Sequence, residues 1–217
     1  GNKGYSGVGL HLSRAMFPVK PVFAHPAFDH ENRIVTAQLG DIVIASIYVP
    51  NGGKDYPAKI RFIEALIAFV IESHACGLKL LLCGDFNVAR EERDVHPKLQ
   101  KPTDIGQTPE ERALFQRLLD AGLVDLGRQF EPENNEYFTW WAPWRDSKAR
   151  NIGWRLDYFL ASEPLARVAA GCVAYREFGT SDHAPVSATF AVEIPKYAGE
   201  GEKVDGPASP RGQLNLI

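Results

Sequence analysis

Few folds accommodate Leu80-Leu81-Leu82-Cys83. A continuous apolar run held between Lys79 and Gly84 suits a strand covered on both faces rather than one with a wet side. The chain has the means to cover it: 217 residues, 45% apolar and 11% aromatic, are enough for one compact domain with a sizeable core. The run delivers Gly84-Asp85-Phe86-Asn87 to its end.

Around it the pattern changes period several times. Gly7–Ser13 and Arg33–Leu39 alternate apolar with small or polar residues, the period-2 mark of half-buried strands, and Asp41–Val49 reads as a third strand. That third strand runs into Pro50-Asn51-Gly52-Gly53, a turn sequence. From Pro57 to Cys76, Ile60, Ile63, Leu66, Ile67 and Val70 recur at helical spacing, and Gly77 offers a left-handed cap. A second helix is predicted from Thr108, with Pro109 at its first position and Glu111 completing a capping box; it ends at Ala121-Gly122. Further strands are expected around Val124, Tyr137–Trp141, Leu156–Leu160, Val173 and Val186–Val192. Adjacent strands with no helix between them favour layered α/β with antiparallel pairing over a purely parallel sheet. Beyond Val192 the apolar pattern collapses into Gly, Pro, Lys and Glu, so the domain is expected over 1–193 and a disordered tail over 194–217.

The 24 basic against 27 acidic residues give a net charge of −3, so no overall field draws the protein onto a polyanion, which must be held locally. No apolar stretch reaches the ~18 residues of a membrane span, and the three cysteines lack metal-ligand spacing, which argues for free thiols in a reducing compartment. A soluble, membrane-free protein of the cytoplasm is expected. The opening Gly-Asn-Lys-Gly-Tyr, with Met16 the only methionine, is not expected to be a natural start.

Asp85 and Asn87 sit two residues apart and can together orient a water or meet a metal-bound phosphate, although Gly-Asp-x-Asn is equally a turn former. In Thr180-Ser181-Asp182-His183-Ala184-Pro185 an acid beside a histidine can supply a hard oxygen ligand and a proton donor or phosphate contact; a capped loop is the plainer reading. In Trp154-Arg155-Leu156-Asp157-Tyr158, strand alternation would send Arg155 and Asp157 to one face, with a histidine the natural partner for a buried Asp157. All four tryptophans lie between 140 and 154, and Arg145, Lys148, Arg150 and Arg155 against Asp146 give that stretch +3. Aromatics among cations suit a displaced nucleotide; tryptophans packing a hairpin core are the alternative, and the one preferred for Trp141.

These motifs, with Lys3-Gly4-Tyr5-Ser6-Gly7-Val8-Gly9 and Tyr48-Val49-Pro50-Asn51-Gly52, resemble in kind and order the exonuclease III family of abasic-site DNA endonucleases, over Lys3 to about Val192. The resemblance implies a four-layered α/β sandwich of two mixed, largely antiparallel sheets flanked by helices. It implies Mg²⁺ as cofactor, with Mn²⁺ as a substitute, and duplex DNA with abasic sites or 3′ ends as partner, bound by a monomer. Under it Asp85 activates the attacking water, Asn87 holds that water or a phosphate oxygen, Tyr48 binds the scissile phosphate, and His183, oriented by Asp157, stabilises the phosphoryl oxygens. Asp182, with Asp85 and Asn87, takes metal-ligand positions. Tyr5 and Asn51 contact DNA, Trp140, Trp154 and Leu156 form the pocket for an extruded baseless sugar, and Lys54 and Trp144 sit on loops entering the two grooves. The family's further metal-ligand glutamate lies before the Lys-Gly-Tyr-Ser-Gly motif at which this chain opens, so an N-terminally truncated domain with an incomplete metal site is expected. The competing readings are a catalytically inactive DNA-binding fragment and another phosphodiesterase of the wider superfamily.

Overall fold

A computed structural model of the chain describes residues 6–13, 21–191 and 214–216. Its centre is a six-stranded mixed sheet built from β1 (Val22–Ala24), β2 (Ile34–Leu39), β3 (Ile42–Tyr48), β4 (Lys79–Asp85), β5 (Leu123–Asp125) and β6 (Asp157–Ser162), in the order β1-β2-β3-β4-β6-β5. Only β3 and β4 run parallel; the other neighbours are antiparallel. The crossover between the parallel pair is the helix α1 (Tyr56–Ala75). Asp55 caps it by accepting from the Ala58 amide at 2.8 Å, and Gly77 follows its end at φ +75°. Helix α2 (Pro109–Asp120) starts in the reciprocal Thr108/Glu111 capping box that its sequence predicts.

The apolar run of β4 divides between two layers. Leu80 and Leu82 join Val43, Ala45, Ile47 and Leu160 under Ile63, Leu66 and Val70 of α1 and Leu114, Phe115 and Leu118 of α2. Leu81 and Cys83 face the other way, onto Cys172, Ala188 and Phe190. Those belong to a second sheet of β7 (Ala169–Ala174), β8 (Val186–Phe190) and β9 (Leu214–Leu216), all antiparallel. Two short helices, α3 (Leu126–Phe130) and α4 (Glu163–Ala166), contribute Leu126, Leu165 and Ala166 to this second core. A helical layer and two sheets are thus described, and burying about a dozen large side chains at roughly 1.5–3 kcal/mol each is what holds each pair of layers together.

Three expectations change. Residues 7–13 do not form a strand: Ser6 and Gly7 take φ of +52° and +129°, and no ladder partner lies beside them among the described residues. Their alternation is still used, because Leu10 and Leu12 pack onto the second core. Tyr137–Trp141 likewise makes single bridges, from Trp140 to Trp154 and to His183, rather than a ladder, since Phe138 and Trp141 turn into a small cluster with Ala184. Of the tail expected over 194–217, residues 194–213 and 217 lie outside the described residues, as do 192 and 193 of the expected domain, while Leu214–Leu216 is strand β9.

Candidate active site

The site begins as one row of the central sheet. In the strand register Tyr48 at the end of β3 pairs with Asp85 at the end of β4, and Asp85 pairs with Asp157 at the start of β6. Opposed residues share a sheet face, so backbone pairing alone brings a phenol and two carboxylates together. Only glycine fits before Asp85: at Gly84, φ is +131° and a Cβ would stand 2.0 Å from the Ile47 carbonyl oxygen.

His183, entering β8, reaches the row from the other sheet, its Nδ1 donating to Asp157 Oδ2 at 2.9 Å. Asp157 is held in turn by Thr139, which is fully buried and whose Oγ1 accepts from the amides of Leu156 and Asp157, both at 2.9 Å. Burial would lower the His183 pKa, but the bond to Asp157 and the charges of Asp157, Asp85 and Asp182 outweigh it and hold the imidazole above its ordinary range. Asp85 moves up to about 7, first because burial disfavours its charge and second because Asp157 is alongside. A carboxylate pushed up to about 7 beside a histidine held above its ordinary range sets a base next to an acid.

Asn87 closes the other side. It adopts φ +51°, unusual for a residue with a Cβ. Its amide donates to Asp85 Oδ1 at 2.8 Å, and its Nδ2 donates to Asp85 Oδ2 at 3.0 Å and to the Val49 carbonyl at 2.9 Å. Its Oδ1 accepts from Asn51 Nδ2 at 3.3 Å, a long bond that a competing oxygen can replace. Asn51 itself is exposed.

Beside this centre Trp140 and Trp154 meet edge to face at 6.2 Å, with buried Leu156 two residues beyond Trp154. Trp140 Nε1 donates to Asp182 Oδ2 at 3.1 Å, linking the aromatic pair to the Asp182-His183 loop. Lys148 braces the same loop, donating to the Ser181 carbonyl at 2.9 Å and lying over the Trp141 ring. Trp144 is 61% exposed on the outer loop and Lys54 is exposed on the loop after β3. Tyr5 lies outside the described residues.

One sequence expectation fails here. Arg155 does not join Asp157: it is 1% exposed and grips two other acids, Asp94 at 2.9 and 3.0 Å and Asp125 at 2.8 and 3.0 Å. Arg128 adds a second hold on Asp94. β6 starts only at Asp157, so strand alternation does not reach back to Arg155. With Arg155 neutralised, Arg145, Lys148 and Arg150 against Asp146 leave the tryptophan stretch at +2 rather than +3. Thr139, Asp94 and Asp125 went unread because their partners are distant in sequence. Lys59 carried a signal: it stands four residues before Ile63 on the apolar stripe of α1, where a lysine needs a buried partner.

Among the described residues no three His, Cys, Asp or Glu gather closely enough to hold a metal by themselves. The donors the motifs supply, Asp85, Asn87 and Asp182, are all hard oxygens, and Asp182 is exposed. That fits magnesium, which commonly takes one or two carboxylates and keeps several waters.

Comparison with known proteins places this geometry. The profile of the Endonuclease/Exonuclease/phosphatase family matches residues 1–183. The Exodeoxyribonuclease of Bacillus subtilis is 31% identical over 189 residues, which cover 85% of this chain and 74% of that protein. Among solved structures, an AP endonuclease from Archaeoglobus fulgidus superposes with a TM-score of 0.72 at 27% identity, covering 80% of this chain and 72% of the other. A 3′-5′ exonuclease from Neisseria meningitidis gives 0.71 at 31% identity, covering 80% and 71%.

Proposed function

Because the chain belongs to the endonuclease/exonuclease/phosphatase family, in its exonuclease III type, we propose that it is a Mg²⁺-dependent DNA repair nuclease that hydrolyses the phosphodiester 5′ to an abasic site. The observation that carries this reading is the Tyr48–Asp85–Asp157 row with His183 bonded to its far end. Its base, pushed up to about 7, lies in that row, and an imidazole held above its ordinary range reaches the row from the second sheet.

Asp85, oriented by the Asn87 amide and carboxamide, takes a proton from a water as that water attacks phosphorus, and the 3′-oxygen of the upstream nucleotide leaves on the opposite side, taking up a proton from solvent to become a hydroxyl. His183, oriented by the bond from its Nδ1 to Asp157, donates from Nε2 to the phosphoryl oxygen as negative charge builds there. Tyr48 supplies a second donor to the same phosphate, and Asn51 a contact to the neighbouring backbone. Asp182, with Asp85 and Asn87 alongside, would hold a Mg²⁺ that neutralises the phosphate and favours ionised water. Trp140, Trp154 and Leu156 receive the baseless sugar, which is cheap to extrude because it has no base to unstack.

The test is incision of a labelled duplex bearing one abasic site, in Mg²⁺ and in chelator, beside an intact duplex and a recessed 3′ end. Mg²⁺-dependent cleavage 5′ to the lesion is expected. Binding without cleavage would leave a DNA-binding fragment, and hydrolysis of simple phosphodiesters with no DNA preference would point to another phosphodiesterase. Similarity to an exodeoxyribonuclease and a 3′-5′ exonuclease favours one companion reading, removal of nucleotides or blocking groups from 3′ ends, which the recessed duplex reports.

A further inference from the structure

Lys59 has no part in the chemistry just described, yet it lies directly beneath it. Its side chain is fully buried, and its ammonium makes three contacts: the Glu111 carboxylate at 2.5 Å, the Asn87 carbonyl at 2.7 Å and the Asn51 carbonyl at 3.1 Å. The stem is packed as tightly as the head, since a Cβ on Gly52 would meet Lys59 Cδ at 2.9 Å. Glu111, also fully buried, accepts in turn from the amides of Gly106 and Thr108 and from the Thr108 hydroxyl. Gly106 closes the circuit: a Cβ there would touch the Trp154 ring at 3.0 Å and the Asn87 carbonyl at 3.3 Å.

One buried ion pair therefore fastens the loop after β3, the loop after β4 and the loop before α2. Burying a charge is costly unless it is paired and bonded, and an apolar residue would fill the same stripe of α1 more cheaply. What the ammonium adds is two carbonyl bonds at the residues whose side chains form the Asn51–Asn87 contact. Asn87 keeps its left-handed backbone, a conformation that persists only when its surroundings hold it.

We infer that Lys59 is a positioning residue: its ammonium fixes the backbones of Asn51 and Asn87, and through them aims the two carboxamides and Asp85 at the phosphate. This rests on the proposed hydrolysis for its catalytic consequence, but not for its structural one. The ammonium touches no substrate, so its removal lowers turnover and leaves substrate binding in place.

The experiment compares the parent chain with Lys59→Met/Glu111→Gln, which removes both charges together and leaves no buried ion unpaired. Turnover on the abasic duplex should fall on the order of 10²-fold while KM stays within about 3-fold, the signature of misalignment rather than lost binding. In amide proton–nitrogen correlation spectra the side-chain peaks of Asn51 and Asn87 should move, while peaks of the second sheet stay put. Unchanged turnover, or unmoved asparagine peaks, overturns the inference. If the double variant does not fold, Lys59→Gln, whose side chain is uncharged and one atom shorter, takes its place under the same two readouts. Should the parent itself fail to cut DNA, the proposed function falls, and the asparagine peaks alone decide whether Lys59 positions them.

Discussion

Arg155 and Asp157 are two residues apart in one segment and anchor two charged assemblies of opposite character. Arg155 sits between Asp94 and Asp125 in bidentate pairs, with Arg128 on the same Asp94 and the Tyr158 ring 4.5 Å from its guanidinium. Asp157 sits beside another acid, Asp85, and is bonded by a single histidine, His183. The carboxyls respond in opposite directions. Burial alone would raise Asp94, but Arg155 and Arg128 outweigh it and hold the carboxyl below its usual range. At Asp85 burial and the neighbouring acid act together and push it up to about 7. Desolvation is common to both, so the count of cations within bonding reach decides whether a buried acid becomes a strut or a reagent.

Substitution at Asp85 should separate the two assemblies most. Asp85→Asn is expected to lower turnover on the order of 10²-fold or more by removing the base, while stabilising the fold. An acid near 7 in the folded chain and near its ordinary value of about 4 when unfolded favours folding only while protonated. That contribution is complete below about pH 4 and is lost as pH rises through about 7. The melting temperature gained by Asp85→Asn should accordingly be larger at pH 8 than at pH 4. A variant less stable than the parent at pH 8 would make Asp85 a strut after all.

Arg155→Met tests the opposite assembly and should cost about 3–5 kcal/mol in urea unfolding, because two buried carboxylates lose their main partner. Here the linkage runs the other way. Asp94, depressed in the fold, contributes stability above its unfolded value of about 4 and loses it as pH falls through its lower folded value. The gap between parent and variant should therefore narrow under acid. A gap independent of pH would mean that Arg155 acts by packing alone.

The smallest effects belong to the aromatic loop. Trp154→Ala should reduce preference for abasic over intact duplex about tenfold by opening the sugar pocket. Lys148→Ala, which loosens the Ser181 carbonyl and removes one cation, should weaken binding to both duplexes by a few-fold and flatten its salt dependence. Equal loss on both duplexes for Trp154→Ala, read by equilibrium titration, would remove the pocket from the comparison.

Local sequence carried much of this. The double-sided burial of β4, the extent of α1 and the Thr108 capping box follow from period and side-chain chemistry within a few residues, and both acidic motifs announce themselves in the same way. What stayed hidden depends on register and distance. That Tyr48, Asp85 and Asp157 share a row is a property of three strands aligned together, and strand alternation misdirected Arg155 because the strand begins two residues later. Residues 7–13 and 137–141 look like strands because alternating apolar side chains are all the pattern requires, whereas a ladder also needs a partner backbone.

The strands that carry the two central carboxylates are held about 5 Å apart by main-chain pairing. The tryptophan-rich loop 142–151 contributes no residue to that ladder and carries none of Tyr48, Asp85, Asn87, Asp157 and His183. Inheritance can thus treat loop and ladder separately. Under the proposed function, exchanges in that loop alter which lesion or strand end is admitted without replacing any residue of the ladder, so a lineage built on this sheet can shift its target in small steps.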